Sequence, residues 1–394
     1  MRSKEERAPL PAGFWTIWTT VALDLVGFGI VAPILGRYAE RYGATGLQVG
    51  LLFASFSLAQ FVFAPILGRL SDRIGRKPVI LISLIGTAVG SVITGAAGAL
   101  WVLFLGRIID GASGASVSVA QGAITDIAPP QQRARLLGLL GAAFGVGFVL
   151  GPALGGLAAL GGPHVPFYVA AVIAAVNAVA AWIRLPETHT NRQQIKPLKH
   201  TRQPLVRGSA MIRFAMIGFI ATAAFAGFEA TFSLFGGERF NLTEGSAAVV
   251  FLCVGVVLVM VQGGLIGPLT HALGSRKLLT GGFIAVTIGL AILSAADTWL
   301  VLAVALALLS VGQGMASPSL TAMVAEAAGP HRRGEALGYQ QSAGALARII
   351  GPIIAGVLFD RVSTGSPYMV GALLSLMAVT LLVTMPIVIQ RASE

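Results

Sequence analysis

The sequence predicts an all-α membrane protein with twelve transmembrane helices in two pseudo-symmetric six-helix bundles, and three observations carry the prediction. First, 55% of the 394 residues are hydrophobic and 11% are charged, with mean hydropathy +0.82, a composition foreign to soluble globular domains. Second, the 27 basic residues sort by loop. Third, Gly151-Pro152-Ala-Leu-Gly-Gly156 returns as Gly351-Pro352-Ile-Ile-Ala-Gly356, and Glu326 and Gly338 answer Asp126 and Gly138, all at an offset of 200. A repeat of that period implies two parallel halves.

Apolar segments of about 20 residues are long enough to cross a bilayer as helices. Twelve are expected, at 14–36, 47–69, 78–97, 99–124, 133–158, 164–184, 210–235, 245–270, 277–295, 298–320, 334–359 and 366–389. They group into a first bundle (1–184), a basic cytoplasmic linker (185–209) and a second bundle (210–394). With both termini inside, inner segments hold 21 Lys and Arg and outer loops only 4, namely Arg37, Arg41, Arg239 and Arg361. That bias sets the orientation in a cell membrane, and it accounts for the net charge of +11 without nucleic acid. The polar stretch Met1 to Pro11 shows no cleavage-type signal. The lone Cys253 allows no internal disulfide.

In the first span, Asp24 lies about 15 Å from the inner face at 1.5 Å per residue. An acid at that depth is costly and faces a partner or a watery cavity. The turn between spans two and three, Gly68-Arg69-Leu70-Ser71-Asp72-Arg73-Ile74-Gly75-Arg76-Lys77-Pro78, sets one acid among four bases with glycines at fixed intervals. It resembles the signature loop of the major facilitator superfamily at every fixed position. The resemblance implies a cytoplasmic latch from Gly68, Asp72, Arg73, Gly75, Arg76 and Asp126, holding the outward-facing state.

In the fourth span, Arg107, Asp110, Gly114, Ser118 and Gln121 recur every three or four residues, so one helix carries one polar stripe. Such a stripe in lipid looks inward. It resembles the superfamily's fourth-helix motif, in which an intramembrane arginine takes part in proton transfer. Asp110 stands where that motif has glutamine; it either locks Arg107 in a same-helix ion pair or adds a proton site. In the fifth span, Gly147, Gly151 and Gly155 line one face that admits a neighbouring helix closely. With Pro152 and Gly156 they resemble the motif found in the antiporters of the superfamily. The face is expected to pack between the two halves.

Residues 185–188, Leu-Pro-Glu-Thr, open the linker, with no chemistry assigned. In the second half His271 and Ser275 replace the loop Asp and Arg, so no second latch is expected. The seventh span carries Phe225, Phe228, Phe232 and Phe235 at helical spacing around Glu229, which is either packing or a pocket for amphipathic cations. Arg348, before Gly351-Pro352, is expected to pair with Glu229 or Glu326.

No nucleotide cradle, metal-ligand cluster or activated nucleophile is visible, so neither enzyme chemistry nor a cofactor is expected. Proton coupling falls to Asp24, Arg107 and Asp110: burial penalises the charged carboxylate and a nearby cation favours it. Phe28, Gln121, Phe225, Phe228, Glu229 and Phe232 are the candidate substrate contacts. Together with the run Leu23-Asp24-Leu25-Val26-Gly27-Phe28-Gly29-Ile30, these features resemble the tetracycline and multidrug proton antiporters. The resemblance implies a monomeric exporter of small drug-like molecules, its partners being substrate, protons and lipid. Export of a sugar or lipid-like metabolite, uptake by symport or facilitation, and a transport-silent sensor remain as alternatives.

Overall fold

The structure, a computed structural model, describes residues 10–129, 132–188, 209–327 and 333–385. The N-terminal stretch through residue 9, the linker over 189–208, Arg332 and the side chain of His271 lie outside the described residues. Within them run fourteen α-helices: α1 (Phe14–Glu40), α2 (Gly46–Ile74), α3 (Arg76–Gly95), α4 (Leu100–Ser113), α5 (Ser116–Ile127), α6 (Arg133–Ala159), α7 (Val165–Arg184), α8 (Ser209–Phe240), α9 (Glu244–Met260), α10 (Ile266–Leu273), α11 (Ser275–Ser294), α12 (Trp299–Ala327), α13 (Arg333–Arg361) and α14 (Ser366–Val383). By length and apolarity they make twelve candidate spans, with α4 and α5 sharing the fourth. The eighth joins α9 to α10 through a π-helical turn at Val261–Leu265.

The chain divides into two compact units, one of Met1–Gln194 with Gly236–Gly255, the other of Ile195–Phe235 with Val256–Glu394. In the first, Ile17, Val21, Leu84, Ile124 and Leu140 belong to a buried apolar cluster. Asn177 of α7 ties into it by donating to Thr20 O at 2.8 Å, since a buried amide without a partner would cost stability. In the second, Phe214, Ile217, Phe283, Leu320 and Leu382 form the corresponding cluster. Residues such as Trp101, Val172, Trp182, Leu300 and Leu373 are exposed, as suits helices whose outer faces meet hydrocarbon.

Local sequence explains several boundaries. Thr45 and Gln48 form a reciprocal capping box that starts α2. Gly75, at φ +110°, turns the chain from α2 into α3, a backbone state that side chains with a Cβ avoid. Glu187 then accepts from the amides of Arg76 at 2.9 Å and Lys77 at 3.2 Å. The segment given no chemistry in the sequence reading therefore caps α3, where two orphan donors and the positive helix end favour a carboxylate.

The glycine face of α6 packs elsewhere than expected. A Cβ on Gly151 would lie 2.5 Å from Gly29 Cα, one on Gly147 would lie 2.7 Å from Leu25 O, and one on Gly155 would lie 3.0 Å from Ile30 O. All three contacts are with α1, inside the first unit, so the expectation of a face between the halves is corrected for them. Two helices approach this closely because neither presents a side chain at the crossing. Gly156 points to another side of α6, toward Ala248 of α9. The second unit has a related seam between α8 and α13, where a Cβ on Gly351 would lie 2.5 Å from Ala223 O.

Candidate transport site

The polar residues of the fourth span do not share one helix. The span breaks at Gly114 and Ala115, ending α4 at Ser113 and restarting as α5 at Ser116. The continuous stripe is thereby corrected: Arg107 and Asp110 belong to α4, and Ser118 and Gln121 belong to α5. A broken helix in lipid must find other partners for its freed backbone groups. Gln60 of α2 supplies one, donating from Nε2 to Gly114 O at 2.8 Å.

The break brings Ser116, the first residue of α5, to Asp24, and the Ser116 hydroxyl donates to Asp24 Oδ2. On the other side of the break, Arg107 Nη1 donates to Asp110 Oδ2 at 2.8 Å, with both residues buried. The charge of Asp110 also reaches Asp24. The Arg107 guanidinium lies 4.2 Å from the centre of the Phe56 ring, a cation–π contact. Phe28 sits beside the same ring at 5.7 Å. Asp24, Ser116, Arg107, Asp110, Phe56 and Phe28 thus gather from four helices of one unit. The same-helix ion pair of Arg107 and Asp110 is present. Gln121 is half-buried, further along α5 from the break.

Close helix contact positions this group. Gly90 of α3 and Gly106 of α4 face one another, since a Cβ on either would lie 2.8 Å from the other's carbonyl oxygen. A Cβ on Gly90 would also meet Asp110 Cβ at 2.9 Å. The sequence reading missed Ser116, Gln60 and Phe56. Ser116 and Gln60 were visible only as polar residues at membrane depth, and Phe56 gave no signal.

At the inner end, Arg76 Nη1 meets Asp72 Oδ1 at 2.6 Å and Ser71 Oγ at 2.7 Å, while its Nε meets Asp126 Oδ2 at 3.0 Å. The loop acid, the loop base and the acid ending α5 therefore converge on one guanidinium. Arg73 is exposed, and a Cβ on Gly68 would enter open space. In the second unit, Arg276 at the start of α11 behaves differently. Arg276 Nη2 donates to Leu382 O at 3.0 Å and Met385 O at 2.8 Å, closing the end of α14 as basic groups do at helix C-termini.

The aromatic wall of α8 resolves into two faces. Phe228, Phe232 and Phe235 are fully buried, with Phe228 and Phe235 packed on Tyr368 of α14 at 6.4 and 5.0 Å between ring centres. As pocket-lining residues Phe228 and Phe232 are corrected: that face is helix packing. Phe225 and Glu229 remain half-buried. Of the two acids expected near Arg348, Glu229 is the one whose charge acts on it. Glu326 instead lines a cavity with Thr270, Arg276 and Lys277.

Twelve apolar spans carrying buried charges at depth define a polytopic membrane carrier. Comparison with known proteins gives that class its name. The chain belongs to the Major Facilitator Superfamily, whose family model matches residues 17–266 and 260–392. It is 32% identical over 370 residues to the class C tetracycline resistance protein of Escherichia coli, covering 91% of this chain and 93% of that one. With multidrug resistance protein 2 of Bacillus subtilis it shares 26% identity, over 88% of each. Among solved structures, a point mutant of the nucleoside transporter NupG superposes with TM-score 0.79 at 14% identity, over 94% of this chain and 98% of NupG. The human organic anion transporter MFSD10 (TETRAN) gives TM-score 0.71 at 24% identity, over 97% and 100%. These structural likenesses speak to the fold. The chain is a multi-pass membrane transporter of this superfamily.

Proposed function

We propose that the chain exports a small amphipathic, drug-like molecule in exchange for protons by alternating access. The observation that carries this reading is the Asp24 carboxylate, bonded to Ser116 at a break in the fourth span whose other piece bears the buried Arg107–Asp110 pair. A carboxylate placed so can be discharged by a proton or left charged for a substrate. Coupling follows when the two ligands prefer opposite charge states of one site. The names of the relatives favour tetracycline and multidrug substrates. The antiporter-type sequence Gly147 to Gly156 favours export by exchange over uptake.

In this scheme Asp24 holds the exchanged proton and Ser116 orients its carboxylate. Asp110 neutralises Arg107, and Phe28 and Gln121 contact substrate. Asp72, Arg76 and Asp126 fasten the inner ends of the helices in one of the two access states. The excess of basic residues in the segments counted as inner supports a cytoplasmic position for both termini, and each monomer carries a complete set of these groups.

Proteoliposomes with an imposed pH gradient test the scheme. Tetracycline movement should follow the gradient in the wild type and lose that dependence in Asp24→Asn. Ser116→Ala should move the pH of half-maximal exchange, whereas Thr125→Ala, whose hydroxyl bonds Gly122 O of its own helix, should leave it in place. Movement at one rate with and without the gradient, unchanged by Asp24→Asn, refutes proton exchange.

A further inference from the structure

The export scheme leaves two intramembrane charges without a task, Glu229 of α8 and Arg348 of α13. Arg348 lies midway along α13, and its side chain is accessible. It is turned away from the apolar outer stripe of that helix. At about 100° per residue, Leu346 and Ile350 lie about 160° to either side of it, and both are exposed, as is Ile354. Gln341, seven residues earlier, shares the Arg348 face and is exposed too. Further along, Pro352 and Ala355 on that face are buried. The accessible polar face of α13 therefore ends at the guanidinium.

The neighbouring helix α8 presents a matching edge. Thr222, Phe225 and Glu229 are spaced by three and four and are all half-buried, so they form one partly open stripe beside the buried row of Phe228, Phe232 and Phe235. The seam at Gly351 and Ala223 holds the two helices together. A Cβ on Gly344 would lie 3.6 Å from Thr222 Oγ1 and 3.8 Å from Arg348 Nη1, so the guanidinium and that hydroxyl flank one point of the crossing. Among the described residues Arg348 makes no hydrogen bond or close ion pair, and Glu229 is the acid whose charge reaches it. A guanidinium at membrane depth is costly to keep, and its planar fork suits recognition of acidic oxygens.

We infer that this face of the second unit is a substrate subsite for amphoteric molecules: Arg348, aided by Thr222, receives the substrate's acidic oxygens, while Glu229 receives its amine and Phe225 its ring. A lipid headgroup is not the occupant, because the face is opposite the lipid-facing stripe and at mid-helix depth. The inference rests on the export reading only in that substrate must reach this face. A purely cationic drug would use Glu229 and Phe225 and gain nothing from Arg348.

Equilibrium binding to the purified protein in detergent separates the two kinds of ligand. The probes are tetracycline, which carries acidic enol oxygens and an amine, and tetraphenylphosphonium, which carries only positive charge. Arg348→Gln should weaken tetracycline binding by about ten- to a hundredfold, the worth of a hydrogen bond to a charged group. It should leave tetraphenylphosphonium within about twofold. Arg348→Lys, which keeps the charge but loses the fork, should fall between for tetracycline, and it supplies the same contrast if the glutamine variant does not fold. Glu229→Gln should weaken both probes. Equal loss of both probes in the Arg348 variants would make the residue structural and overturn the inference. So would unchanged tetracycline binding, or a wild type that binds tetraphenylphosphonium and not tetracycline. Gradient-independent movement in proteoliposomes would sink the exchange scheme and leave this binding contrast standing.

Discussion

A methyl group at Gly151 would test what holds the candidate proton site in place. The Cβ of Gly151→Ala would sit 2.5 Å from both Cα and C of Gly29 and 2.9 Å from Ile30 N. Ordinary contact begins near 3.4 Å, so α1 and α6 must part by about 0.9 Å at the crossing. The obstructing atoms are backbone and have no rotamer to escape into. Overpacking of this kind costs about 1–3 kcal/mol. Gly138 lies on the same helix, and a Cβ there meets nothing within 4 Å; Gly138→Ala should gain up to about 1 kcal/mol from helix propensity. Both variants would be melted in detergent and assayed for gradient-driven efflux. Gly151→Ala should melt below the wild type and transport more slowly, because the part of α1 that it displaces, Leu25 to Ile30, directly follows Asp24. Gly138→Ala should match or exceed the wild type in both assays. Equal behaviour of the two alanines would refute the reasoning, since it would mean that α1 and α6 do not depend on bare backbone at their crossing.

Two further predictions concern charge. Asp110→Leu strips the carboxylate from the buried Arg107 and should cost about 3–5 kcal/mol, seen as a large fall in melting temperature and folded yield; Asp72→Leu, at an exposed partner, should stay within about 1 kcal/mol. Glu187→Ala removes the acceptor from two amides of α3 and should cost about 0.5–2 kcal/mol, as lost caps do, measured by the same melt with exposed Arg73→Ala as the unaffected control.

The spans were legible because a helix that crosses lipid writes its length in apolar residues, and charges at depth stand out against them. What stayed hidden depends on partners from other helices. Gly114 reads as an ordinary small residue of a membrane helix; the Gln60 amide from α2 is what makes a break there tolerable. The period of Gly147, Gly151 and Gly155 announced a close approach, yet nothing in it named α1 as the neighbour. Likewise the four phenylalanines of α8 share a spacing, and it is Tyr368 of α14 that decides which of them are packing. Glu187 looked like the start of a linker because its two bonding partners are more than a hundred residues away.

The interruption at Gly114 also bears on how the first unit can move. An unbroken helix bends only by giving up several of its own backbone bonds, whereas these two pieces are already separate and lean on a side-chain bond from Gln60. The piece bearing Arg107 is clasped to α3, and the piece beginning at Ser116 holds Asp24. A change in the angle between them would therefore act first on the Ser116–Asp24 bond, giving the fold a mechanical handle on the one group the exchange scheme needs to load and unload.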